Sequence, residues 1–156
     1  MQISDFFSAQ TVAVDLRAAD KDALIDAMID LLSSHERVKD LEEVRRAVKE
    51  RESMMSTGVG KGLALPHAKS EAVSDTVAAL ATLENPVEYG SIDDEPVRIA
   101  FLLVGTPDAK SQHVKVLSRV SRLMNRESIR ASLLRSTTPA ELLDTFREAE
   151  AGLLDT

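Results

Sequence analysis

Apolar and polar residues alternate along Thr11–Leu16 (TVAVDL), the two-residue period of a half-buried strand. Past Asp20 the period lengthens. Leu24, Ile25, Met28, Ile29, Leu31 and Leu32 fall on one stripe, with Lys21, Asp22, Asp26 and Asp30 on the opposite face, so the pattern predicts a helix capped by Asp20 and running to about Ser34. Asp40 repeats the cap, and Leu41, Val44 and Val48 step through a highly charged helix ending near Arg51. From Met54 the character changes. Gly58, Gly60 and Gly62 are three of the chain's six glycines and preclude a helix. Leu63–Leu65 restores a short strand, and Pro66 forces Leu65 into extended geometry. Thr76–Leu83 and Val97–Val104 read as strands, the second a continuous apolar run of the kind covered on both faces. Pro86 and the turn-rich Gly90–Pro96 mark a hairpin region between them. After Gly105-Thr106-Pro107 the periodicity is helical, over about Ser111–Asn125, Glu127–Leu134 and Pro139–Glu148. Helices before, between and after strands give an α/β or α+β class, with a mixed β-sheet and helices packed against it.

Composition narrows the function. The 156 residues carry 26 acidic side chains against 19 Lys and Arg, a formal charge of −7. No linker or repeat divides them, so a single domain is expected over residues 1–150, with a loose tail at 151–156. The absence of cysteine removes disulfides, thiol catalysis and Cys-ligated zinc. The acidic balance argues against general nucleic-acid binding. The longest clean apolar run, Ile99–Val104, is far short of a membrane span, and the N-terminus lacks a signal-peptide pattern; a cytoplasmic domain is the expectation.

Candidate chemistry gathers at few positions. His35 is accounted for by an imidazolium near a helix C-terminus. His67 ends an apolar strand behind a proline and a glycine-rich turn, where small residues admit a second molecule; a solvent-facing strand-end histidine is the plainer alternative. His113 projects to the apolar side of its helix, with Val116, Leu117, Val120, Leu123 and Met124, and reads either as a core-edge histidine or as a group beside an anion-attracting helix N-terminus with Ser111 as cap. Arg51 stands just ahead of the glycine turn. Lys115, Arg119, Arg122 and Arg126 form a basic stripe that reads as solvated surface. Gly58–Gly62 matches neither the dinucleotide fingerprint nor the P-loop, so no cofactor is indicated, and two histidines without a third marked ligand leave metal binding unsupported.

Taken together, Arg51-Glu52, Ser56-Thr57-Gly58-Val59-Gly60 and Gly62-Leu63-Ala64-Leu65-Pro66-His67-Ala68 resemble the enzyme IIA domains of the bacterial phosphoenolpyruvate-dependent sugar phosphotransferase system, fructose/mannitol/nitrogen-regulatory branch. Gln112–Leu117 resembles that family's second histidine motif. The resemblance implies a mixed β-sheet with helices on both faces. It also implies a phosphohistidine carrier: His67 accepts a phosphoryl group from the small histidine-containing phosphocarrier protein, on Nε2, and passes it to a sugar-specific IIB component. His113 and Arg51 match positions lining the phosphorylation site, and the Thr57-Gly58 region could supply backbone N–H groups. Membrane contact would come only through a permease on another chain. The alternative is a regulatory protein of nitrogen-regulatory type, whose phosphorylation at His67 controls binding to target proteins.

Overall fold

The computed structural model describes residues 2–154. A short 3-10 turn, Ile3–Phe6, precedes β1 (Val12–Leu16), α1 (Lys21–Asp30) and α2 (Leu41–Met54). The two helices begin as their caps demand: the Asp20 carboxylate accepts from the Ala23 N–H at 2.9 Å and Asp40 from the Glu43 N–H at 3.2 Å. Then come β2 (Gly58–Gly60), β3 (Leu63–Ala64), β4 (His67–Lys69), β5 (Val77–Val87) and β6 (Val97–Gly105), followed by α3 (Lys110–Met124), α4 (Glu127–Leu134) and α5 (Pro139–Leu154).

The sheet has six strands among the described residues, in the order β1-β5-β6-β3-β2, with β4 also paired to β6. It is mixed, as the sequence predicts: β1/β5, β3/β6 and β4/β6 are parallel, and β5/β6 and β2/β3 antiparallel. The central pair separates two cores. Val77, Ala79 and Ala81 of β5 and Ala100, Leu102 and Val104 of β6 meet Leu24, Met28, Val44 and Val48 of α1 and α2. The alternate residues Ala78, Leu80, Ile99, Phe101 and Leu103 face Val116, Val120, Leu133 and Phe146 from the three C-terminal helices. This two-sided burial is why β6 lacks the polar alternation of β1. In the second core Phe7 stands edge-on to both Phe101 and Phe146, with ring centroids at 5.6 and 5.2 Å.

The structure departs from the sequence reading at element ends. α1 stops at Asp30 and unwinds through turns to Ser34. α2 runs three residues past Arg51, to Met54. β5 continues through Pro86, which is tolerated because the β5/β6 register shifts between Thr82 and Val87. α3 begins at Lys110 behind Ala109 and has no side-chain cap, in place of the expected Ser111. α5 stays helical through the stretch expected to loosen after Ala151, because Leu153 is buried in the second core. Beside it, the buried Glu150 carboxylate accepts the N–H groups of Ile3 at 2.5 Å and Ser4 at 3.1 Å, tying the two ends of the chain together. Among the described residues no helix is long and apolar enough to cross a membrane.

Phe146 is fully buried and edge-packed on Phe7. Phe146→Ala is expected to lower the unfolding free energy by about 3–5 kcal/mol, measured by urea denaturation, with the loss concentrated where α5 meets the sheet.

Candidate functional site

Three successive left-handed residues fold β2 back onto β3: Gly60 (φ 97°), Lys61 (φ 58°) and Gly62 (φ 79°). Glycine suits two of these positions because such backbone angles crowd a Cβ. The hairpin is extended one step beyond the strands by a bond from the Leu65 N–H to the Thr57 carbonyl at 2.9 Å. After β3 the chain passes Pro66 and rejoins β6 as β4, placing His67 opposite Leu103. The proline has no N–H to give, but its carbonyl accepts from the Leu103 N–H at 3.1 Å, so the run stays attached to the sheet.

His67 is half-buried, with its ring fixed from below. Nδ1 lies 2.7 Å from the carbonyl oxygen of Leu65. A carbonyl can only accept, so Nδ1 carries the proton and the neutral ring presents the Nε2 lone pair outward. The His113 ring, in the first turns of α3, has its centroid 5.4 Å away, tilted by 58°. Its Nδ1 is sealed without a hydrogen-bond partner beside Gly105, where even a Cβ would come within 3.3 Å of it. With Nδ1 shut off there, Nε2 is the ring nitrogen left for the cleft, and it donates when it carries the proton. The two rings therefore play opposite parts: one offers a lone pair, the other an N–H.

Both rings are held uncharged near neutral pH. Burial pushes His67 below its ordinary range; the Arg51 and Lys69 charges push the same way, opposed by the Leu65 hydrogen bond and the Glu52 charge. Burial pushes His113 down to about 4, helped by His67 and Lys69. The rings line a surface cleft of about 500 Å³ together with Arg51 and Met54 from the end of α2, Lys69 of β4 and Leu117 of α3. Neighbouring cations on α2 are neutralised in place: Arg45 pairs with Asp26, Asp30 and Glu42, Arg46 with Glu43 and Glu50, and Lys49 with Asp22 and Asp26. Arg51 instead donates one N–H to the Met55 carbonyl at 3.1 Å, and neither it nor Lys69 has a carboxylate partner among the described residues. The result is a positive cleft with unspent donors in a chain of net negative charge.

The structure thus brings His67, His113 and Arg51 together. It does not bring Thr57 and Gly58 into the cleft. The Thr57 N–H and hydroxyl are spent on Glu52, at 3.0 and 2.6 Å, and the Gly58 N–H on the Ser56 hydroxyl at 3.1 Å. Lys69 escaped the sequence reading although the strand period gave a signal, since two residues beyond His67 return to the same face. Among the described residues no group of three or more His, Cys, Asp or Glu could hold a metal ion.

The architecture and the paired histidines define a class. The family model for the phosphoenolpyruvate-dependent sugar phosphotransferase system, EIIA 2, matches residues 5–149, and the chain belongs to this family. It is 30% identical to the fructose-specific EIIA component of Haloferax volcanii over 146 residues, covering 94% of this chain and 95% of that one. It is 31% identical over 148 residues to the fructose-specific EIIABC component of Bacillus subtilis (strain 168), covering 95% of this chain but only 23% of that longer protein. The crystal structure of nitrogen regulatory protein IIA-Ntr from Neisseria meningitidis superposes with a TM-score of 0.86 at 26% identity, covering 92% of this chain and 98% of that one.

Two measurements check the site. Nitrogen NMR at neutral pH is expected to show the Nδ1–H tautomer for His67 and the Nε2–H tautomer for His113. The second concerns stability. A ring that titrates near 6.5 when unfolded and about 4 when folded binds fewer protons in the native state. Its stabilisation is complete above the unfolded value and is lost as pH falls toward the folded one, by about 3 kcal/mol in all. Urea midpoints should decline between pH 6.5 and 4.5, and His113→Gln should flatten that decline.

Proposed function

We propose that this protein is a phosphohistidine carrier that takes a phosphoryl group on Nε2 of His67 and gives it to a second protein. The observation that carries the reading is the Leu65 carbonyl bound to Nδ1, which leaves Nε2 as a nucleophile facing a cleft with uncommitted cations. The Nε2 lone pair attacks phosphorus opposite the nitrogen of a phosphohistidine donor. The new N–P bond forms as the donor's N–P bond breaks, and the donor ring, protonated on its other nitrogen, leaves with the bonding pair as a neutral imidazole. Positive charge that develops on the His67 ring is met by the Leu65 carbonyl, through the proton that Nδ1 already holds. Charge on the equatorial oxygens calls for donors rather than covalent help. Arg51, Lys69 and the Nε2–H of His113 border the same cleft and can supply them. An uncharged His113 keeps this donor role at any physiological pH, and an uncharged His67 keeps its lone pair.

The donor is the small histidine-containing phosphocarrier protein, as the family membership suggests, and the acceptor is a IIB component of a sugar permease; this exchange takes place in the cytoplasm. The net charge of −7 steers the chain toward a basic donor surface. A second reading is supported by the likeness to the Neisseria meningitidis protein. Here phosphate on His67 is a signal, and the output is binding to a target protein in one phosphorylation state.

Incubation with phosphoenolpyruvate and the two upstream carrier proteins, followed by intact-mass detection, is expected to show one acid-labile phosphate. His67→Ala abolishes it. Arg51→Ala and His113→Ala load more slowly, by about 10²-fold if each removes one transition-state donor. An unchanged rate in Arg51→Ala would remove that residue from the mechanism. Onward transfer to a IIB protein selects the transport reading, and a target bound in only one phosphorylation state selects the regulatory one.

A further inference from the structure

Glu52 sits beside Arg51 on the last turn of α2 but points the other way, into the protein, and is 8% exposed. Its carboxylate is fully engaged. It accepts the Thr57 N–H at 3.0 and 3.2 Å on its two oxygens, the Thr57 hydroxyl at 2.6 Å, and the Lys21 ammonium of α1 at 2.9 Å. The Thr57 hydroxyl, donating to Glu52, accepts from the Tyr89 phenol at 3.1 Å. Tyr89 in turn lies under the Lys21 ammonium, 4.6 Å from its ring centre. Removing this carboxylate alone would strand the Thr57 N–H, its hydroxyl and the Lys21 ammonium, so the clasp holds the loop firmly.

Two functional groups hang from the fastened loop. Glu52 and Thr57 close a short loop containing Met55, whose carbonyl holds the Arg51 guanidinium at 3.1 Å. On the far side, the Thr57 carbonyl accepts from the Leu65 N–H at 2.9 Å, and the Leu65 carbonyl accepts the Nδ1–H of His67 at 2.7 Å. One carboxylate therefore governs both walls of the cleft through two short relays, one ending at the cation and the other at the nucleophile.

We propose that Glu52 is a positioning residue, which clasps Thr57 so that Arg51 and His67 are both held at the one cleft they line. The proposal rests on the reading of His67 as the phosphoryl acceptor, but one of its tests does not. The charged and titratable groups around the His67 ring are Arg51 and Glu52 of α2, Lys69 of β4 and His113 of α3. Thr57→Val removes the hydroxyl bond while leaving all of these charges in place, and Glu52→Gln removes the carboxylate itself.

Nitrogen NMR of His67 in the unphosphorylated protein provides the activity-independent readout. The native ring is expected to be the Nδ1–H tautomer alone. Thr57→Val should give a mixture of tautomers as the Leu65 carbonyl drifts, and Thr57→Ser should restore the single form. In loading by the phosphorylated small carrier protein, Thr57→Val and Glu52→Gln should each lower kcat about tenfold with little change in KM. In an Arg51→Ala background the further loss should shrink to about twofold, because one of the two positioned groups is already gone and only the His67 relay remains. Thermal melts identify any variant that fails to fold, and Thr57→Val carries the test if Glu52→Gln does. A single Nδ1–H tautomer in Thr57→Val together with native loading rates overturns the proposal. So does an equal loss in the native and Arg51→Ala backgrounds. If the native protein takes no phosphate at all, the carrier reading falls, and the tautomer comparison still decides the role of Glu52.

Discussion

Pairing along β6 is the constraint from which the site follows. One edge of this strand is taken by β5 over nearly its whole length. The other is shared by two short pieces, β3 opposite Ile99 and Ala100, and β4 opposite Leu103 to Gly105. Leu65 and Pro66 lie between them and cannot slip along the strand, because the bonds on both sides fix the register. The Leu65 carbonyl is thereby held in place under the imidazole two residues on. A ring hung from a free loop would sample both tautomers and many rotamers. Here the rotamer and the protonated nitrogen are settled before any partner arrives, which is the preorganisation that a transfer with little covalent assistance requires.

The electrostatics follow the same logic of commitment and reserve. Three of the α2 cations are bound into networks with acidic neighbours that cover the exposed side of the helix pair. Such surface pairs contribute little stability individually, but they take charge out of play. What remains unneutralised at the cleft is Arg51, which spends one of its five donors on a backbone carbonyl, and Lys69. The two histidines divide the remaining work by burial and neighbours rather than by residue type. Identical imidazoles take different parts because Nδ1 of one meets the Leu65 carbonyl while Nδ1 of the other is buried without a partner.

Much of the fold was legible because its signals are periodic. The two aspartate caps, the apolar run of β6 and the stripes of the C-terminal helices all act over a few residues of chain, and each element formed where they indicated. Element ends were harder. The stop of α1, the passage of β5 through Pro86 and the extension of α5 depend on contacts far away in sequence, such as Leu153 in the second core. The site divided in the same way. His67 and Arg51 announced themselves by their place beside the glycine turn, and His113 by its side of the helix. The engagement of Thr57 and Gly58 with the interior could not be read, since a glycine turn near a histidine resembles an anion-binding nest until the acceptors of its N–H groups are known. Lys69 was readable from the strand period, but only once His67 was known to lie on a strand and not at its end.

The carboxylate of Glu150 that gathers the first backbone amides of the chain gives the domain a topological property as well as a fastening. The 3-10 turn and α5 lie side by side at these residues, so the described polypeptide forms a nearly closed circuit. Such a circuit can be threaded into a larger polypeptide, or have its origin moved by circular permutation, with a linker of only a few residues to bridge the gap. Among the described residues none of the cleft-lining groups lies on the 3-10 turn or on α5, so the cleft and this fastening are built from different elements.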